Sequence, residues 1–186
     1  MAKEYLDTLN EIGKKTGEKK LKEHIHRDGD WHACVQVIVI NSHYEILLQK
    51  RSASKISEPN TWDQAAAGHV RAGEEPIDAA VREIEEEIGV KADKNALEFM
   101  HIMQYQRVER DGTYINNQHN NFYLLEIDHD ITDLKFDPNE TSELKFFAPD
   151  ELIKHYQNKT LPMLFPEEDL HRFVRYVKNK AKEVVK

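Results

Sequence analysis

Along this chain, one set of segments is β-rich or alternates apolar with polar residues, and another repeats its apolar residues every three to four positions. In the first set, "WHACVQVIVIN" (31–41) and "YEILLQKRS" (44–52), separated by "SH", predict an antiparallel pair of strands. "AAAGHV" (65–70) predicts a short buried strand ending at Gly68. "ALEFMHIMQYQRV" (96–108) and "YINNQHNNFYLLEI" (114–127) predict two more, around a turn at Asp111–Gly112, and "LKFFAP" (144–149) a further one. In the second set, Ile77, Ala80, Val81, Ile84 and Ile88 fall on one helical stripe between Pro76, suited to a first helical position, and Gly89, suited to the residue just past the end. "PDELIKHYQ" (149–157) and "PEEDLHRFVRYVKNKAKEVVK" (166–186) predict two more helices, the last packing through Leu170, Phe173, Val174 and Val177. Residues 3–30 are polar and read as an added hairpin with "KKTGEKK" (14–20) as its turn, while "ASKISEPNTWDQ" (53–64) reads as a loop. Strands, a central helix, strands and then helices predict a mixed α/β layered domain rather than regular βαβ winding.

Composition narrows the class. At 186 residues, 39% apolar and 32% charged, the chain has the length and balance of one globular domain spanning 1–186. A formal net charge of −8 argues against nucleic acid or an anionic membrane as the main partner. Cys34 is the only cysteine, which excludes an internal disulfide. The start carries no apolar signal region and no stretch approaches a membrane span, so a cytoplasmic location is expected.

The most informative stretch is "GHVRAGEEPIDAAVREIEEEIGV" (68–90), which holds six glutamates and one aspartate. A Glu run alone is most often a solvated helix face. Here, at about 100° per residue, Glu83, Glu86 and Glu87 fall within one arc beside the apolar stripe. Like charges at these spacings repel, and a divalent cation turns that repulsion into coordination. Hard carboxylate oxygens suit Mg2+ or Mn2+, ions that also bind substrate phosphates. Gly68 and Gly73 let the preceding loop turn sharply and approach a ligand.

The full pattern, from Gly68 through Glu74 and Arg82-Glu83 to Glu86-Glu87 and Gly89, resembles the signature box of the Nudix hydrolases with every defined position filled. The resemblance implies an α/β/α sandwich that cleaves a diphosphate linked to another moiety, such as a nucleoside diphosphate derivative or another organic diphosphate, using a divalent metal. It implies Glu83, Glu86 and Glu87 as metal ligands, with one of them or an outside carboxylate helping to deprotonate the attacking water. Arg82 would orient the acids and Glu74 support that network. Many relatives are dimers, so a homodimer is compatible with the resemblance.

Outside the box, "WHACVQVIVIN" and "ILLQKRSASKISEPNTWDQAAAGHVRAGE" are similar to the branch that includes the isopentenyl diphosphate isomerases. That resemblance implies Arg51 and Lys55 as diphosphate-holding cations and matches His32 and His69, with His26 near a third position, to histidines of a metal site. The isomerases require a catalytic cysteine where this chain has Ala67, and Cys34 lies on another strand. Hydrolysis is therefore the expected reaction and isomerisation the alternative. His119 stands near a position where related proteins often carry an acid. Glu140 and Glu143, after the sheet, are further candidates, with a solvated loop as the plainer reading. Trp62 reads as core rather than as a platform for a base.

Overall fold

The computed structural model describes residues 3–55 and 58–184. Residues 56 and 57 of the predicted 53–64 loop, residues 1 and 2 of the N-terminal extension, and the last two residues of the predicted 166–186 helix lie outside the described residues. The element order is β1 (Tyr5–Leu9), β2 (Lys15–Leu21), α1 (Lys22–Asp28), β3 (Trp31–Ile40), β4 (Ile46–Arg51), β5 (Trp62–Gln64) and β6 (Ala66–His69). There follow α2 (Pro76–Ile88), β7 (Leu97–Glu109), β8 (Tyr114–Glu126), β9 (Thr141–Phe147), α3 (Pro149–Asn158) and α4 (Glu167–Val184). Strands in a mixed sheet with helices place the chain in the α/β class, as the alternation of patterns predicts. No helix among the described residues is long and apolar enough to cross a membrane.

Two compact units make up the chain. The first contains the residues up to Val37, Ala67–Glu83 and Ala92–Tyr123. The predicted hairpin is there, with β1 antiparallel to β2 from Tyr5↔Leu21 to Leu9↔Lys15. Its turn is Asn10–Lys14 rather than the predicted "KKTGEKK", which is largely β2 itself. Local polar chemistry decides this. The Asn10 side chain accepts the N–H groups of Ile12 (3.2 Å) and Lys14 (2.9 Å), and Gly13 takes a left-handed φ of 79°. The lysines of β2 stay in solvent, so their charge does not oppose strand formation. Helix α1 was not predicted: it is seven residues long and buries only Ile25 and His26, too few positions for a periodic signal. Strand β8 pairs with β7 and β3, and the Val70 N–H donates to the Ala33 carbonyl at 3.0 Å. Leu6, Ile25 and Val35 are fully buried in this unit.

The second unit contains Ile38–Ala66, Ile84–Lys91 and the residues from Leu124 on. Its organising strand is β4. It lies antiparallel to the end of β3 (Val39↔Leu47), to β5 (Gln49↔Asp63) and to β9 (Ile46↔Phe147). β5 falls inside the predicted loop because three residues leave no period to read, and its identity comes from pairing alone. A parallel bridge joins Trp62 to Met163. Trp62 is buried edge-on to Phe147 at 5.2 Å, which makes it a core residue. Leu170, Phe173, Val174 and Val177 of α4 are buried, as their spacing predicts.

Candidate active site

Helix α2 starts at Pro76 and ends at Ile88, with Gly89 in the left-handed region (φ 73°) as the sequence predicts. Its apolar stripe centres on Ala80, Ile84 and Ile88, all fully buried, while Ile77 and Val81 are half-buried. Burying that stripe fixes the rotation of the helix and with it the direction of each carboxylate.

In the first unit, Arg82 forms a two-pronged bond with Glu74, Nε to Oε1 and Nη2 to Oε2, both at 3.0 Å. Its Nη1 donates to Glu83 and its Nη2 also donates to the His69 carbonyl (3.0 Å). One planar guanidinium thus joins the helix, the loop before it and the end of β6. Burial alone would lower the pKa of Arg82, but Glu74 and Glu83 outweigh it and raise it. Burial pushes the Glu74 carboxyl up, and bonds from Arg82 and the Arg71 N–H more than compensate, leaving it below its ordinary value. Glu83 is only 8% exposed. A Cβ at Gly68 would collide with its carboxylate, so the missing side chain makes room for an acid against the strand.

Three histidines form a second cluster in this unit. The ligating nitrogens of His26, His32 and His69 lie within 4.8 Å of one another. Nδ1 of His26 meets the Lys22 carbonyl at 2.7 Å and Nδ1 of His32 meets the Asp30 carbonyl at 3.1 Å. A carbonyl only accepts, so both Nδ1 atoms carry the proton and both Nε2 atoms offer lone pairs. Burial is the main cause that lowers all three pKa values, His32 to about 4, which keeps the rings neutral. A neutral, converging set of imidazoles fits a transition-metal ion. His119 stays apart from this cluster. It packs beside Trp31 and lines a cavity of about 480 Å3 together with Asp7, Glu74 and Ile102.

In the second unit, Glu87 accepts from Nε2 of Gln49 at 2.8 Å, and the buried Thr141 hydroxyl donates to the Gln49 carbonyl oxygen. This relay fixes the amide so that it can only donate to Glu87. The pattern of Gln49 and Thr141 carries no separate sequence signal, since both sit in ordinary strand positions. Glu86 is exposed. Nε of Arg51 donates to the Glu58 carbonyl (3.3 Å), and Lys55 is ion-paired with Glu140. Glu140 is thereby placed beside a predicted diphosphate-holding cation, whereas Glu143 is exposed on β9 opposite Lys50. Asp63, absent from the sequence candidates, sits opposite Gln49 in the β4–β5 register, and burial pushes its carboxyl up to about 6. Carboxylates of this number and hardness on α2 fit Mg2+ or Mn2+.

The NUDIX domain model matches residues 30–165. Nudix hydrolase 3 of Arabidopsis thaliana is 40% identical over 169 residues, covering 89% of this chain and 22% of that protein. The chain thus spans about a fifth of that relative's length. An isopentenyl-diphosphate Delta-isomerase of Pectobacterium atrosepticum is 28% identical over 160 residues, with 86% of this chain and 82% of that one covered. Among solved structures, a Deinococcus radiodurans protein superposes with a TM-score of 0.66 at 24% identity, over 94% of this chain and 99% of that chain. It shares the fold.

Proposed function

The chain belongs to the Nudix hydrolase family, whose members act on pyrophosphate bonds, and from that premise we propose that it cleaves an organic diphosphate, a nucleoside diphosphate derivative in the first instance, with an activated water. Glu83, Glu86 and Glu87 of α2 would hold Mg2+ or Mn2+. The observation that carries this reading is the Glu74–Arg82–Glu83 fork set against Gly68. A soluble helix has no use for a nearly buried glutamate, yet a metal ligand must be held ionised and still.

Arg82 aims the Glu83 carboxylate through a charge-assisted bond, and Glu74 in turn holds Arg82. Gln49 leaves one oxygen of Glu87 committed to a hydrogen bond and orients the other. The proton of the attacking water passes to a carboxylate of this set. Arg51 and Lys55 grip the diphosphate; the exposed pairing of Lys55 with Glu140 is weak enough for an incoming anion to exchange. When bound, the divalent ion lowers the pKa of water and neutralises the diphosphate. His69, with His26 and His32, would hold a second divalent transition-metal ion.

Appearance of the phosphomonoester products from a diphosphate panel with Mg2+ or Mn2+, compared with Glu86→Gln and Glu83→Gln, tests the reading. We expect a loss on the order of 100-fold or more in kcat for each. Variants as active as the parent would remove these residues from the mechanism. The histidine cluster and the isomerase relative favour isomerisation as the second reading. Ala67 speaks against it, and so does the Cys34 thiol, which is 2% exposed and held protonated by burial. Formation of dimethylallyl diphosphate from isopentenyl diphosphate would establish that alternative.

A further inference from the structure

Side chains alternate faces along a strand. His32 of β3 belongs to the histidine cluster, so its neighbour Ala33 takes the opposite face, and Ala33 lines the cavity of about 480 Å3 in the first unit. His119 and Asn121 of β8 line the same cavity, whereas Tyr114, of opposite parity, stacks on His26. The cavity therefore lies across the sheet from the histidines. Its wall is largely apolar, with Leu9, Val70, Pro76 and Ile102. A cavity of this size and lining suits a small organic molecule.

Polar groups on this wall keep acceptor capacity. Asn121 is 7% exposed. Its amide donates to the Cys34 carbonyl at 3.1 Å and to the His119 carbonyl at 3.2 Å. Carbonyls only accept, so the amide cannot be turned round, and its Oδ1 is left without a protein partner. His119 is 6% exposed, and its Nε2 meets the Asn10 carbonyl at 3.3 Å. By the same rule Nε2 carries the proton, and Nδ1 of the neutral ring is an acceptor on the side of Gly13, another residue of the wall. Charge adds to this. Asp7 is matched by Lys15 at 2.9 Å and Glu74 by Arg82 at 3.0 Å, but among the described residues Glu75 forms no ion pair.

We propose that this cavity is a second small-molecule site, separate from the diphosphate site, and that it takes an organic ammonium ion with an apolar body. Oδ1 of Asn121 and Nδ1 of His119 require N–H donors, and the unmatched Glu75 carboxylate requires positive charge. The apolar wall requires a hydrocarbon or aromatic body. An ionised diphosphate has neither the donors nor the sign. Sites built on nearly buried polar groups also discriminate strongly against a ligand that lacks the partner. The inference goes beyond the hydrolase reading and does not depend on it, because Glu83, Glu86 and Glu87 are not among the residues that line the cavity.

The experiment is a calorimetric titration of the full chain with tryptamine and with indole-3-propionate, which keeps the indole body and reverses the charge. The parent should bind tryptamine about tenfold more tightly than the propionate, or better. Glu75→Gln and His119→Phe should each weaken tryptamine about tenfold, the loss of one charge-assisted hydrogen bond, and leave the propionate no weaker. Ile102→Trp, which crowds the cavity from an exposed strand position, should weaken tryptamine by about tenfold or more. Should His119→Phe fail to fold, the two exposed positions, Glu75 and Ile102, carry the test. Excess methylenediphosphonate with Mg2+ should leave tryptamine bound. In nuclear magnetic resonance the amide signals of Leu9 and Ile102 should move on titration while those of His26 and Gln36 stay. No tryptamine binding, equal binding of the propionate, displacement by methylenediphosphonate, signal changes centred on the histidines, or variants that bind tryptamine like the parent would each overturn the inference.

Discussion

Arg82 shows how much one side chain can organise. Its side chain is 16% exposed and meets carboxylates that are 17% and 11% exposed. Replacing it by Ala takes the shared cation from two nearly buried acids, and we expect a loss of about 3 kcal/mol in urea unfolding. Arg82→Lys should recover only part of this, since an ammonium cannot form the fork. Asp63 makes a different residue-scale prediction. Its folded pKa, about 6, lies above the ordinary value of 3.8, so the folded state binds the proton more tightly. Stability from this group is whole below pH 3.8 and is lost as the pH rises through 6. Asp63→Asn should therefore be more stable than the parent by on the order of 2 kcal/mol at pH 8. The difference should close toward pH 4 in thermal scans, and a gap that is constant with pH would contradict this origin.

Among elements, α2 was legible from its residues alone because three independent signals agree: a first-turn proline, an apolar stripe and a terminal glycine. Gly89 matters for conformation as well as space. It has φ 73°, and a Cβ there would press on Lys135 at 2.8 Å. Gly89→Ala should cost about 1–2 kcal/mol in equilibrium unfolding through the left-handed backbone alone, with the contact adding to it. The elements that escaped the sequence, α1 and β5, are seven and three residues long. Short elements are held by their neighbours rather than by propensity. The misplaced hairpin turn has the same lesson in reverse: the lysines of β2 look like a loop until strand pairing with β1 is known.

For the whole molecule, the relevant charge is local. A chain of formal net charge −8 binds an anion only where cations and metal ions gather. Among the described residues, two groups of donors are the proposed ion sites, the α2 carboxylates and the His26–His32–His69 cluster. Ligands that bind only the folded state stabilise it by mass action. Mn2+ at about a hundred times its dissociation constant should raise the unfolding temperature by about 5–10 °C. His69→Ala should remove part of that rise and Glu83→Gln another part. An unfolding temperature indifferent to Mn2+ and to chelator would count against both groups as ion sites.

The sequence by itself determined the class, most element boundaries and the acidic box, because periodicity, capping residues and a fixed motif are local and survive being written in one dimension. It also set Ala67 where an isomerase needs a thiol. Only the tertiary structure decided that Glu74, Arg82, Glu83 and the His69 carbonyl form one network, that Gln49 and Thr141 stand behind Glu87, and that His119 lies apart from the other histidines. Those relations depend on strand register and on which side of a pleat each residue takes, and pairing between distant segments fixes both.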